Sequence, residues 1–165
     1  KDLVQATTCQ APGDEQVPKS FAHYAPLGFE ALLENLRPDI EKAINKQLYP
    51  TYSYARIYYN GATLAHHTDR YSCEISATVC LEQEEANPWP IWFETKTKKI
   101  VSLTLNPGDI AIYRGVELDH WREEYKGSKH IQAFLHYVDV DGPYKLFKYD
   151  TRPCLGSSSD TKRAL

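Results

Sequence analysis

The chain has 165 residues, a length that suits one domain and allows a sizeable core. Nineteen Lys and Arg against 22 Asp and Glu give a net charge of −3, which excludes an overall basic footprint for nucleic acid or an anionic membrane. No apolar run reaches transmembrane length, and a charged fraction of 25% is ordinary for a soluble globular protein.

Residues 1–20 are polar, contain Pro12, Gly13 and Pro18, and read as an N-terminal arm. Lys1–Gln5 carry no signal-peptide pattern. Cysteines stand at 9, 73, 80 and 154, in no zinc spacing, so a reducing cytoplasm is the expected setting. Cys73 and Cys80 fall in a strand-like run and point to opposite faces, which predicts separate buried thiols. Cys9 and Cys154 lie in the two polar ends, and their pairing is left open.

Residues 27–48 repeat Phe29, Leu32, Leu33, Leu36, Ile40, Ala43, Ile44 and Leu48 at helical spacing. Pro38 falls inside that run, so either a kink or a second helix start is expected there. The helix should pack on the outside of a sheet.

From Thr51 the period changes to two. Tyr52, Tyr54, Arg56 and Tyr58 share one predicted strand face, and Ala55, Ile57 and Tyr59 the other. Asn60-Gly61 is a turn signal. Strands are expected over 75–81, 91–94, 100–105, 110–113 and 130–140, with Val116–His120 leading to a second histidine. The acidic 82–89 loop, ending in Asn-Pro-Trp-Pro, is expected to border the mouth of a site, and 122–128 reads as a charged loop. Residues 141–165 are polar and read as a tail.

Many short strands behind one helix predict a mainly β fold, a double-sheet jelly roll over 51–140, in a single domain spanning 1–165. The candidate chemistry lies in His67-Thr68-Asp69. In extended backbone, side chains at i and i+2 share a face, so the imidazole and carboxylate can hold one ion. Such a pair suits a first-row metal such as Fe(II), and a second histidine, His120, would complete a facial triad with open positions. The bland reading of His-x-Asp is a surface turn in which Asp69 caps a backbone group. His66 faces away from His67 and reads as exposed or structural.

The motif is the second of six pieces that stand in order: Arg56-Ile-Tyr58-Tyr-Asn-Gly61, Leu64-Ala-His-His67-Thr-Asp69, Cys73–Leu81, Leu105-Asn-Pro-Gly108-Asp109, His120 and Gln132–Asp139. Together, over about half the chain, they resemble the Fe(II)- and 2-oxoglutarate-dependent oxygenases, in particular the prolyl 4-hydroxylase-like branch. The resemblance implies a double-stranded β-helix core with His67, Asp69 and His120 on Fe(II). It implies 2-oxoglutarate and O2 as cosubstrates, and admits ascorbate as a reductant. The implied reaction is hydroxylation, of prolyl residues in a peptide or protein or of a small molecule. The family usually places a Lys or Arg about ten residues after the distal histidine to pair with the far carboxylate of 2-oxoglutarate. That position brings Lys129 and His130 here, and Arg122, two residues after His120, is a third candidate. Tyr58 matches a tyrosine that bonds the cosubstrate, and reads equally as a core aromatic. Two other classes stay open: a cupin-type metalloenzyme without 2-oxoglutarate, and a non-catalytic β-sandwich binding module. The oligomeric state is not legible.

Overall fold

The computed structural model describes residues 11–12 and 17–157. Most of the arm, including Cys9, and the end of the tail lie outside the described residues. Ten strands follow in chain order: β1 (Ala11–Pro12), β2 (Ser20–Tyr24), β3 (Leu48–Tyr59), β4 (Leu64–His67), β5 (Ile75–Glu82), β6 (Ile91–Glu94), β7 (Ile100–Leu103), β8 (Ile110–Tyr113), β9 (Asp119–Arg122) and β10 (Lys129–Asp139). Among the described residues one α-helix, α1 (Leu27–Ile44), joins β2 to β3, and two short 3-10 turns follow at Tyr71–Cys73 and Lys145–Thr151. No helix among the described residues is long and apolar enough to cross a membrane.

The strands form two antiparallel sheets. The larger has the order β1-β2-β3-β10-β5-β8 and the smaller β4-β9-β6-β7. Residues from both sheets line a cavity of about 560 Å³, so the sheets face one another as the walls of a jelly roll, a double-stranded β-helix. The alternation read from β3 holds: Tyr52, Tyr54, Arg56 and Tyr58 line that cavity. Ala55 and Ile57 point outward and pack with Ile75, Ala77, Val79, Ile131, Ala133 and Leu135 under Phe29, Leu33 and Ile40 of α1. This outer layer is the main apolar core, and each fully buried aliphatic side chain contributes roughly 1.5–3 kcal/mol.

α1 runs through Pro38 as one helix rather than restarting there, and it ends four residues before Leu48, which opens β3. Asn45 takes a left-handed conformation (φ 54°), and its N–H bonds the Glu41 carbonyl, which ends the helix. Pro38 removes one backbone donor. Arg37 brackets that turn, bonding Glu34 at 2.7 Å and Glu41 at 2.9 Å.

The arm and the 82–89 loop differ from the sequence reading. Part of the 1–20 arm is strand: β1 pairs with β2, Ala11↔Ala22 and Pro12↔Phe21, and Ser20 opens β2, which pairs with β3 from Ser20↔Tyr58 to Tyr24↔Tyr54. The 82–89 loop does not line the cavity; its Trp89 is buried against Tyr58, Tyr125 and His130. An apolar indole is more stable packed among buried aromatic rings than at a wet rim, and its N–H still finds the Glu123 carbonyl at 2.7 Å.

The described part of the tail is docked. Asp150 is buried and takes a two-pronged contact from Arg70 (2.8 and 2.9 Å) and the Tyr24 hydroxyl (2.5 Å). Arg152 pairs with buried Glu30. Tyr149, Asp150 and Thr151 are all left-handed (φ 55°, 54° and 63°), at a cost of roughly 1–2 kcal/mol per residue. The anchored Asp150 holds that turn in place.

Candidate metal centre

β4 and β9 pair so that His67 lies opposite His120, with ring centroids 4.2 Å apart. The strand before the turn supplies one imidazole and the strand after β8 the other. Asp69, just beyond β4, turns back between them: its Oδ1 is 3.5 Å from His67 Nε2 and 3.7 Å from His120 Nε2. The ligand atoms of all three lie within 4.8 Å of one another. Sequence reasoning named this trio, and the fold brings it together at one wall of the cavity.

Both imidazoles are oriented alike. His67 Nδ1 donates to the Ala65 carbonyl and His120 Nδ1 to the Leu118 carbonyl, each at 2.9 Å. Those bonds place the Nδ1 proton and turn each Nε2 lone pair toward Asp69. Two lone pairs and a carboxylate aimed at one point repel unless a cation or a proton lies between them. The protonation energetics agree. Burial pushes the Asp69 carboxyl up, but the His67 contact, the neighbouring His136 and His120, and the Ser76 hydroxyl outweigh it and hold it at about 2. For His67 burial works downward, and the contacts with Asp69 and Ala65 outweigh it, so its pKa is raised. His120 is more deeply buried, and its pKa is lowered despite Asp69.

Residues not singled out in the sequence as partners of the ligands support the carboxylate. The Ser76 hydroxyl donates to Asp69 Oδ2 at 2.9 Å, and Asp69 N–H donates to the Gly115 carbonyl at 2.9 Å. A Cβ on Gly115 would collide with Asp69 Oδ2 and stand 2.6 Å from the Cys73 carbonyl, so only glycine fits. Ser76 had a weak sequence signal, since it lies on the inward parity of β5; Gly115 had none.

The remaining candidates separate. Tyr58 lines the cavity, while Lys129 points outward from β10 and pairs with Glu82 at 2.9 Å. His130 points inward but is buried, bonded to Gln132 Oε1 at 2.6 Å, and burial pushes its pKa down to about 3. Arg122, expected to begin a loop, is the last residue of β9 and is buried inside the barrel. Its guanidinium bonds the Trp89 carbonyl, reaches Gln132 Oε1 at 3.4 Å and lies 4.8 Å from the centre of the Trp89 ring. Burial lowers its pKa, and the neighbouring phenols of Tyr58 and Tyr113, both in the cavity wall, act against that shift. His66 is outside, stacked on Trp121 at 3.9 Å and bonded to Asp119.

Comparison with known proteins matches this architecture. No protein-family profile matches the chain, and no curated protein does. Solved structures do. An oxidoreductase of the 2OG-Fe(II) oxygenase family from Burkholderia pseudomallei superposes with a TM-score of 0.68 at 10% identity, covering 82% of this chain and 76% of that one. The non-heme alpha-ketoglutarate-dependent epimerase SnoN of nogalamycin biosynthesis gives 0.71 at 13% identity, over 95% and 77%. A Pseudomonas putida prolyl-4-hydroxylase gives 0.61 at 13% identity, over 79% and 77%. The chain therefore has the fold of the Fe(II)/2-oxoglutarate oxygenases, and its His-x-Asp and distal His stand together at one wall of the cavity between the two sheets.

Proposed function

We propose that the protein is an Fe(II)- and 2-oxoglutarate-dependent oxygenase, a hydroxylase. The observation that carries this reading is the trio itself: two histidines with Nδ1 fixed by backbone and Nε2 turned inward, and one ionised carboxylate, at the wall of an open cavity. Two nitrogens and one oxygen suit Fe(II) with positions to spare. When bound, the iron would supply oxidative decarboxylation of 2-oxoglutarate to succinate and carbon dioxide, coupled to oxidation of a substrate C–H bond.

The chain's own residues then have assigned tasks. His67, Asp69 and His120 hold the ion, and Ser76 and Gly115 fix the direction of Asp69. Arg122 is the anchor for the far carboxylate of 2-oxoglutarate. Its planar fork suits a carboxylate, whereas His130 is neutral and Lys129 is turned away. Tyr58, in the cavity wall and near enough to Arg122 to interact with its charge, is the hydroxyl that would bond the cosubstrate. Tyr24, Tyr52, Tyr54 and Phe134 line the substrate side and exclude water. A prolyl residue of a peptide or protein is the first substrate class to test, and a small molecule the second.

The test is anaerobic titration with Fe(II), then 2-oxoglutarate, following the visible charge-transfer band of the chelate. A saturable band that disappears in Asp69→Ala supports the oxygenase. Metal binding with no band favours a cupin-type enzyme, and no metal binding favours a binding module.

A further inference from the structure

Asp69 has two carboxylate oxygens, and the fold gives each a different neighbourhood. Oδ1 faces the two Nε2 atoms, and Oδ2 faces Ser76. Ser76 Oγ is also 3.0 Å from His136 Nδ1. Cys73 lies on the same wall. The ligand atoms of Asp69, Cys73 and His136 lie within 4.8 Å of one another, the same limit that the His67–Asp69–His120 trio meets.

We propose that Asp69, Cys73 and His136 form a second metal niche, which takes a thiophilic divalent ion of the zinc type. A sulfur, an imidazole nitrogen and a carboxylate oxygen are a zinc donor set, with the Ser76 hydroxyl close enough to serve as a fourth. The thiol distinguishes this niche from its neighbour, whose nitrogen and oxygen donors contain no soft ligand. Cys73 is 2% exposed and His136 5%, yet both line the cavity, so an ion reaches them from the same opening.

Burial holds the Cys73 thiol protonated when no ion is bound, and two contacts would favour a metal-bound form. The Tyr52 hydroxyl lies 3.0 Å from Cys73 Sγ and can donate to a thiolate. The Tyr52 ring packs on His136 with centroids 4.6 Å apart and fixes the imidazole. On binding, the thiol proton leaves to solvent and the S–metal bond takes its place. Because Asp69 serves both niches, an ion in one alters the affinity of the other, and the coupling is reciprocal. The niche shares Asp69 and Ser76 with the proposed iron site, but Cys73 and His136 have no part in that site, so a test read on the sulfur and on His136 separates the two.

The probe is Co2+ alone, added to a His67→Ala, His120→Ala double variant in which the first site has lost both histidines. The expected result is one bound ion with a thiolate-to-cobalt charge-transfer absorption in the near ultraviolet. Adding Cys73→Ala removes that absorption, and adding His136→Gln weakens binding at least about tenfold. Absence of bound cobalt in the folded double variant overturns the proposal, as does an absorption that survives Cys73→Ala. Should the double variant not fold, X-ray absorption on the unsubstituted protein with excess Co2+ decides. A sulfur in the cobalt coordination shell that is lost in Cys73→Ala supports the niche, and nitrogen and oxygen alone overturn it.

Discussion

His67 and His120 face each other across the β4–β9 pair, and each is turned by a 2.9 Å bond from Nδ1 to the carbonyl two residues before it. This repeated local geometry makes two strands from distant parts of the chain present equivalent Nε2 atoms to one carboxylate. Backbone carbonyls do not titrate, so the orientation persists across the working pH range.

Removing a ligand should eliminate metal-dependent chemistry without unfolding the chain. His67 and Asp69 are partly exposed, and neither belongs to the apolar core. His67→Ala and Asp69→Ala should keep the far-ultraviolet circular dichroism of the parent and give no succinate from 2-oxoglutarate. Full turnover in either variant would remove the trio from the mechanism.

Gly115→Ala should damage the site through Asp69. The added methyl meets Asp69 Oδ2 and the Cys73 carbonyl, and backbone cannot yield cheaply. The expected loss is about 1–3 kcal/mol of stability and about 10–100-fold in metal affinity, read by urea unfolding and Fe(II) titration. An affinity equal to the parent's would show that Asp69 is held without Gly115.

The three anchor candidates should rank clearly. Loss of a charge-assisted bond of about 1.5–3 kcal/mol predicts that Arg122→Ala raises the Kd for 2-oxoglutarate by roughly 10–150-fold. His130→Ala should have a smaller effect and Lys129→Ala almost none. A larger loss in His130→Ala than in Arg122→Ala would move the anchor to β10.

His130 should make stability depend on pH on the acid side. Its folded pKa of about 3 lies below the ordinary histidine value of 6.5, so between those values the unfolded chain binds more protons. Stability therefore stands in full above about pH 6.5 and falls as the pH drops toward 3, at up to about 1.4 kcal/mol per pH unit for this group. Urea unfolding across that range should show a shallower slope in His130→Asn. An unchanged slope would mean that His130 is protonated in the fold.

Arg152→Ala should destabilise the protein by about 3–5 kcal/mol, because it leaves Glu30 charged and buried. Arg152→Ala combined with Glu30→Gln should recover part of that loss. Thermal unfolding of the single and double variants measures the coupling.

Much of the architecture follows from the sequence because its periods are local. Alternation in Tyr52–Tyr59 assigns an inner and an outer face, as the cavity and the α1 core confirm. The Asn60-Gly61 turn with Gly61 at φ 78°, and the i, i+2 spacing of His67 and Asp69, are likewise legible within a few residues. What period cannot specify is which strand lies across from which. Tertiary pairing set His120 opposite His67, seated Gly115 against Asp69, and buried Trp89 among Tyr58, Tyr125 and His130. It also decided among the basic candidates. Side-chain alternation along β10 turns Lys129 out to Glu82, while the continuation of β9 by one more inward position carries Arg122 into the barrel. Those outcomes depend on sheet order and on the register shift between Leu64 and His67, which arise from contacts far apart in the chain.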